Sequence, residues 1–337
     1  MQYLKGLKDR LDGAIQVVDT DGMSEETEIL VQNAFQEIDG MEFRLACNHD
    51  GSVYAEKLIR LASEFQLRVF WDRVAGCCGR MAVHRYASHV LESLINASSL
   101  ALSHSDGKQN EDVTEKSGVL AGLSDLVLRV EQEWLSDDNG FDSLMKDTYS
   151  SHVLRAYIDK MTPSPDFINA VIESRQWSWN HQSAALVLQA VFKKQPVIVD
   201  TIELDKRFFM AAASDKIGSR TCESFVEAAA LVSNECFAKQ YHRLVRNDTL
   251  KMTRDRSANF VIQALLSACP TDSLFAVILD ELSQEPQIIV DKMGILFKIM
   301  EWPVRKGRAS DKTIAFLYEA SEAKTPDAKQ ALLKRLQ

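Results

Sequence analysis

The chain has 337 residues, 46% of them hydrophobic, which is ample for a large core yet long for a single unrepeated one. Its formal net charge of -9 excludes nucleic-acid binding by overall charge alone, so any such contact must come from a local face. The start, MQYLKGLKDRLDG, is amphipathic and charged, unlike a signal peptide, and no run of about 18 uncharged apolar residues is available to span a membrane.

In chain order, residues 1–40 are expected to form a degenerate N-terminal capping repeat, with residues 14–38 as a degenerate leading unit. A repeat array is expected over 41–337. Its signature is a capping-type residue, three residues, then a pentad that is polar or small at both ends and mostly apolar at its third and fourth places. Asn48 leads to Ser52-Val53-Tyr54-Ala55-Glu56, and His84 to Ser88-His89-Val90-Leu91-Glu92. A polar stretch, SHSDGKQNEDVTEKSG at 103–118, follows and predicts a disordered insertion over about 101–120. Asp147 then leads to Ser151-His152-Val153-Leu154-Arg155, His181 to Ala185-Leu186-Val187-Leu188-Gln189, and Asp215 to Ser219-Arg220-Thr221-Cys222-Glu223. Asp255 leads to Asn259-Phe260-Val261-Ile262-Gln263, and Asp291 to a worn copy, Ile295-Leu296-Phe297-Lys298-Ile299. Trp302-Pro303 with Arg305, Lys306 and Arg308 reads as an exposed basic turn, and a closing helical pair is expected over about 308–337.

The first places of successive pentads are 36, 63, 34, 34, 40 and 36 residues apart, and the long step contains the insertion. These periods belong to stacked helix pairs. Apolar residues at i, i+3 and i+4 (Leu91, Leu94, Ile95; Leu154, Tyr157, Ile158) give each helix one buried stripe. Asn48, Asp147, Asp215, Asp255 and Asp291 stand where an N-cap would start the second helix of a unit, and His84 and His181 replace them in two copies. Ser164-Pro165 and Thr325-Pro326 are further start signals. The predicted fold is an all-α, curved α-solenoid of stacked helical repeats.

On a helix the first and fifth places of the pentad share one face, with the second beside them. Two polar ends there can hydrogen-bond the edge of a nucleobase while the second place stacks on its face. Asn259 and Gln263 carry amides, while Ser88 with Glu92 and Ser219 with Glu223 pair a hydroxyl with a carboxylate able to accept from guanine. Ser52 with Glu56 offers the same pair without a planar neighbour, and Ser151 with Arg155 is a contact candidate of undetermined preference. His89, His152, Arg220 and Phe260 fill the second place with planar groups. The copies at Ala185 and Ile295 read as structural. Arg85, Lys216, Arg256 and Lys292 each follow a cap and are candidates for phosphate contact.

Tyr86-Ala87-Ser88-His89-Val90-Leu91-Glu92 and Ser257-Ala258-Asn259-Phe260-Val261-Ile262-Gln263 resemble the core of Pumilio-type (PUF) repeats. More narrowly, YLKGLKDRLD at 3–12, residues 36–70, MAVHRYASHVLESLI at 81–95 and DKIGSRTCESFVEAA at 215–229 resemble the nucleolar protein nine family of small-subunit ribosome assembly factors. The resemblance implies a PUF-like scaffold of the nucleus and nucleolus. It would bind single-stranded or partly structured pre-rRNA on its concave face and mask a spacer cleavage site from its nuclease. It further implies that Asn259, Phe260 and Gln263 read uracil, and that the sets at Ser219 and Ser88 read guanine. The implied partners are pre-rRNA, the pre-ribosomal particle and its assembly factors, with the chain acting as a monomer. Neither a membrane nor a small-molecule substrate is expected. No nucleotide-loop, metalloprotease or serine-hydrolase motif is present, and the six cysteines show no metal-ligand spacing, so neither an enzyme activity nor a cofactor or metal is expected. The acidic total leaves a second reading open, an α-solenoid adaptor for proteins that reads no bases.

Overall fold

A computed structural model of the protein describes residues 24–105, 120–136, 140–174, 178–290, 292–306 and 311–320. Every regular element among these residues is helical. The chain divides into two compact units, Met1–Gln176 and Trp177–Gln337. Each pentad lies near the start of its own helix. The first unit holds His49–Arg60, Ala87–Ser105 and Thr148–Lys160, and the second Gln182–Lys194, Gly218–Val232, Ala258–Ala268 and Met293–Lys306. Within each unit these helices pack side by side in sequence order, and the remaining helices pack against that row. The predicted all-α repeat stacking is therefore present in both units.

The Ala87–Ser105 helix runs five residues into the segment expected to be disordered, and residues 106–119 lie outside the described residues. So do most of the expected N-terminal cap, Trp177, the cap candidate Asp291 and the Thr325-Pro326 signal. Glu25–Ile38 supplies the described helix of the leading unit, and Asp311–Ala320 one helix of the expected closing pair.

The caps explain why the helices start on this period. Asp147 Oδ1 accepts from the Tyr149 and Ser150 N–H groups at 2.8 and 2.9 Å, and Asp215 Oδ1 from Ile217 and Gly218, both at 2.8 Å. Asp255 Oδ1 accepts from Ser257 and Ala258 at 2.8 and 2.9 Å, and Asn48 Oδ1 from Gly51 at 2.9 Å. His84 and His181 do the same through Nδ1, at 3.2 Å to the Tyr86 N–H and 3.4 Å to that of Ala184.

Burial pushes the Asp255 carboxyl up, but hydrogen bonds from Ala258 and Ser257 outweigh it and hold it below the ordinary value. A depressed carboxyl contributes stability above its unfolded value, and that stability is lost as pH falls through the folded one. Unfolding free energy should therefore decline below about pH 4, and Asp255→Asn should shallow that decline. Asp147→Ala, which deletes two cap bonds, should cost about 1 kcal/mol in urea titrations at neutral pH.

The third place of the pentad is buried in six copies (Tyr54, Val90, Val153, Val187, Thr221 and Val261), and only in the seventh, at Phe297, does it stand 59% exposed. The predicted stripes of Leu91, Leu94, Ile95 and of Leu154, Tyr157, Ile158 are buried, as are Trp71, Trp134, Trp179 and Trp302. Burying each such aliphatic side chain stabilises the stack by about 1.5–3 kcal/mol. The expected basic turn at Trp302-Pro303 is instead helical, inside Met293–Lys306. Arg305 is committed there. It donates to the Leu266 carbonyl at 3.0 Å and to that of Ser267, closing the end of the Asn259 helix, and its guanidinium lies 5.1 Å from the Trp302 ring.

Two helix starts without side-chain caps of their own are closed by a later helix. Cys77 and Asp248, which precede two short helices, make no side-chain cap bond. Glu133 accepts from the Gly76 and Gly79 N–H groups at 2.9 and 3.1 Å, and Glu281 from Asn247 N–H at 3.1 Å and Thr249 Oγ1 at 2.5 Å. A further enclosed carboxylate, Glu131, reaches forward instead: it accepts from the Tyr157 hydroxyl at 2.6 Å, from Ser164 N–H at 3.1 Å and from the Ser164 hydroxyl.

Candidate nucleic-acid interface

Helix geometry splits the pentad into two populations. The first place is buried throughout, and its polar atom turns back to the chain. Ser52 Oγ donates to the His49 carbonyl at 3.0 Å, Ser151 Oγ to that of Thr148 at 2.8 Å, and Ser219 Oγ to that of Lys216 at 3.3 Å. Ser88 is buried in the same position. Asn259, only 7% exposed, donates from Nδ2 to the carbonyls of Asp255 and Arg256 at 3.0 and 2.8 Å. The second place is the outward one. Val53, His89, His152, Arg220 and Phe260 are exposed, Phe260 by 50%, while Leu186 and Leu296 are half-buried. The two copies read as structural are thus the two whose second place is partly covered.

The fifth place differs from copy to copy. Glu56 and Glu92, on neighbouring helices, lie within electrostatic reach of each other and of His89. Burial raises the Glu56 carboxyl, His89 draws it down and Glu92 raises it. Glu223 is also raised, first by burial and then by Glu227, with Arg220 opposing. Arg155 donates from Nη2 to His152 Nδ1 at 2.7 Å and from Nε to the Ser151 carbonyl at 3.2 Å, so this copy is bonded within itself. Gln189 donates across to Thr221 Oγ1 at 3.2 Å in the next helix. Gln263 donates to Asn259 Oδ1 at 3.0 Å, which joins the two amides of the sixth copy.

Lys216, Arg256 and Arg85 are exposed, with the Arg85 guanidinium 4.6 Å from the Tyr86 ring. Lys292 is half-exposed and within reach of the Asp255 carboxylate.

Sequence reasoning missed the residue before each pentad, which reads Gly51, Ala87, Ser150, Ala184, Gly218, Ala258 and Gly294. A Cβ on Gly51 would lie 2.4 Å from the Leu45 carbonyl oxygen, and one on Gly218 2.4 Å from that of Ala212. The short preceding helix ends there against the pentad helix, so only small side chains fit. Gly294 serves a different neighbour. A Cβ there would meet Gln263 Oε1 at 2.5 Å, so this glycine leaves room for the amide of the preceding copy. A column of small residues in register was the available signal.

Residues 40–174 match the NOP9-like PUF repeat domain. Nucleolar protein 9 of Scheffersomyces stipitis is 29% identical over 187 residues, covering 52% of this chain and 25% of that protein. Nucleolar protein 9 of Talaromyces marneffei is 26% identical over 255 residues, covering 68% of this chain and 36% of that protein. The chain thus spans 25% to 36% of the length of these two curated relatives. Among solved structures, APUM23 with its insert region deleted, together with GGAAUUGACGG, superposes with a TM-score of 0.74 at 19% identity, covering 98% of this chain and 67% of that one. The Puf4 RNA binding domain bound to the HO endonuclease RNA 3′ UTR recognition sequence superposes with a TM-score of 0.63 at 12% identity, covering 96% and 94%. These likenesses show the fold. Residues 40–174 thus resemble the NOP9-like PUF repeat domain, and the chain shares the fold of the solved PUF-repeat structures.

Proposed function

We propose that the chain is an RNA-binding scaffold of small ribosomal subunit biogenesis in the nucleolus. It binds pre-rRNA along the outward face of its pentad helices and masks a spacer cleavage site from its nuclease. The observation that carries this reading is the second place of the pentad. Planar side chains there face solvent in copies whose third and fourth places are buried, which is the arrangement a stacked base requires. The relatives' printed name and the RNA in the solved PUF structures support it. A buried first-place hydroxyl contributes shape beside the base, and the fifth-place carboxylate or amide contributes the hydrogen bond. Arg85, Lys216 and Arg256 are free to approach phosphates, and assembly factors of the pre-ribosomal particle are the expected protein partners.

Gel-shift titration with pre-rRNA spacer fragments tests the scaffold reading. Absence of a shift at moderate salt leaves the protein adaptor. In the sixth copy, Asn259→Ser with Gln263→Glu replaces two amides by a hydroxyl and a carboxylate. The expected result is a change from uracil to guanine at one base position, worth about 1–3 kcal/mol by analogy with other base-edge contacts. Unchanged preference at every position removes the base-reading role of this copy. Glu56 and Glu223 take up their protons before ordinary carboxyls as pH falls, so any contact in which they accept from guanine weakens first on acidification.

A further inference from the structure

Cys47 and Cys77 belong to the repeats of the Ser52 and Ser88 pentads and are both half-buried, whereas Cys78, Cys222, Cys236 and Cys269 are buried. Arg80 joins the two. Its Nη2 donates to Cys77 Sγ at 2.9 Å, and its guanidinium carbon stands 4.9 Å from the centre of the Phe43 ring. Phe43 and Cys47 lie one turn apart at the end of the Glu42–Ala46 helix, where the Cys47 N–H donates to the Phe43 carbonyl at 3.0 Å. The guanidinium therefore bridges two repeats, and Cys47 is within electrostatic reach of both Arg80 and Cys77. Neither thiol is in a pentad, so the pair is separate from the face assigned to RNA.

The two thiols are not equivalent. Burial raises the Cys47 thiol, with Arg80 drawing it down and Cys77 raising it. Cys77 receives the guanidinium N–H directly, and a partly exposed sulfur beside an arginine is the setting in which thiols react with oxidants. A guanidinium has five N–H donors, so Arg80 can also donate to a departing oxygen. The adjacent Cys78 is set apart. It is buried, its Sγ donates to the Val74 carbonyl at 3.6 Å, and burial pushes its thiol well up. The nearby Glu133 carboxylate is committed to the Gly76 and Gly79 N–H groups.

We infer that Cys77 is a peroxide-reactive thiol, oriented by Arg80, and that Cys47 converts its oxidised form to a disulfide between the two repeats. The Cys77 thiolate attacks one oxygen of hydrogen peroxide. An S–O bond forms, the O–O bond breaks, and the departing hydroxide takes up a proton as water. Cys47 sulfur, giving up its proton to solvent, then attacks the Cys77 sulfenic acid. The S–S bond forms, the S–O bond breaks, and the second oxygen leaves as water. Two thiols lose two electrons, and one peroxide becomes two waters. The link joins the segments that lead into the His49–Arg60 and Ala87–Ser105 helices, so oxidation fixes the spacing of these two pentad helices.

Mass spectrometry of the full chain tests this. After brief exposure to a small excess of hydrogen peroxide, the intact chain should lose two hydrogens. Peptides holding Cys47 and Cys77 should be joined until dithiothreitol separates them. In Cys47→Ser the sulfenic acid should persist, and dimedone should label Cys77. Arg80→Met should slow oxidation of Cys77 by about tenfold, and Arg80→Lys should recover part of the rate. Arg80 is exposed, so thermal unfolding of both variants should stay close to wild type. Oxidation of Cys77 no faster than in the urea-unfolded chain overturns the proposal, as does an unchanged rate in Arg80→Met. A link between Cys77 and Cys78, or between two chains, overturns it likewise, because Cys47 would then not be the partner.

Discussion

Glu131→Ala should lower the unfolding free energy of the first unit by about 3–5 kcal/mol. The carboxylate is buried and is the shared acceptor for the Tyr157 hydroxyl, the Ser164 N–H and the Ser164 hydroxyl. Removing it orphans three donors, each costing about 1–3 kcal/mol when left without a partner, and opens a cavity besides. Two elements are loosened together, because Ser164 is the N-cap of Pro165–Glu173 and Tyr157 lies on the Ser151 helix. Trp134 reports the event. Its ring is buried and meets the Tyr157 ring edge-on at 5.2 Å, so its fluorescence should follow urea unfolding of this region. Glu131→Gln should fall between, since one acceptor oxygen remains. A loss below about 1 kcal/mol for the alanine variant would mean that water replaces the carboxylate, contrary to the enclosure described.

The second large effect concerns RNA. His89→Ala, Arg220→Ala and Phe260→Ala should each weaken binding by about 1–3 kcal/mol, or roughly 5- to 150-fold in Kd, if a base stacks on each. Thermal stability should barely move, because all three side chains face solvent. Val261, one residue beyond Phe260, supplies the converse. It is fully buried, so Val261→Ala should cost about 2 kcal/mol of folding free energy and leave the affinity of the folded protein nearly intact. Side-by-side titration and thermal unfolding of the two variants separate recognition from packing. Equal affinities for wild type and Phe260→Ala would remove the stacking role.

The repeat itself was legible from residues alone because two local rules reinforce each other. A capping side chain sets where a helix begins, and a 3.6-residue stripe sets which side is buried, so Asp147, Asp215 and Asp255 mark both the elements and their phase. Outward projection of the second place followed from the same phase. Burial of the first place did not, because it depends on how closely the neighbouring helix approaches, and no spacing within one helix contains that distance. Ser52, Ser151 and Ser219 consequently spend their hydroxyls on local carbonyls, and Asn259 spends its amide likewise. The Arg155–His152 bond, the Gly294 space beneath Gln263 and the Glu131 and Glu281 closures are likewise contacts between separately positioned groups. Arg305 illustrates the same limit: a proline and three cations suggested a turn, while the Leu266 and Ser267 carbonyls of another helix determine what the arginine does.

The separation of second and third places has an evolutionary consequence. Under the proposed stacking role, a substitution at Phe260 or Arg220 would change what touches a base without entering the core, whereas one at Val261 or Thr221 alters packing at once. Mutations that retune recognition therefore escape the purge that marginal stability imposes on most changes. Target preference can drift copy by copy while the scaffold persists, and a lineage of such arrays can explore new ligands by neutral steps.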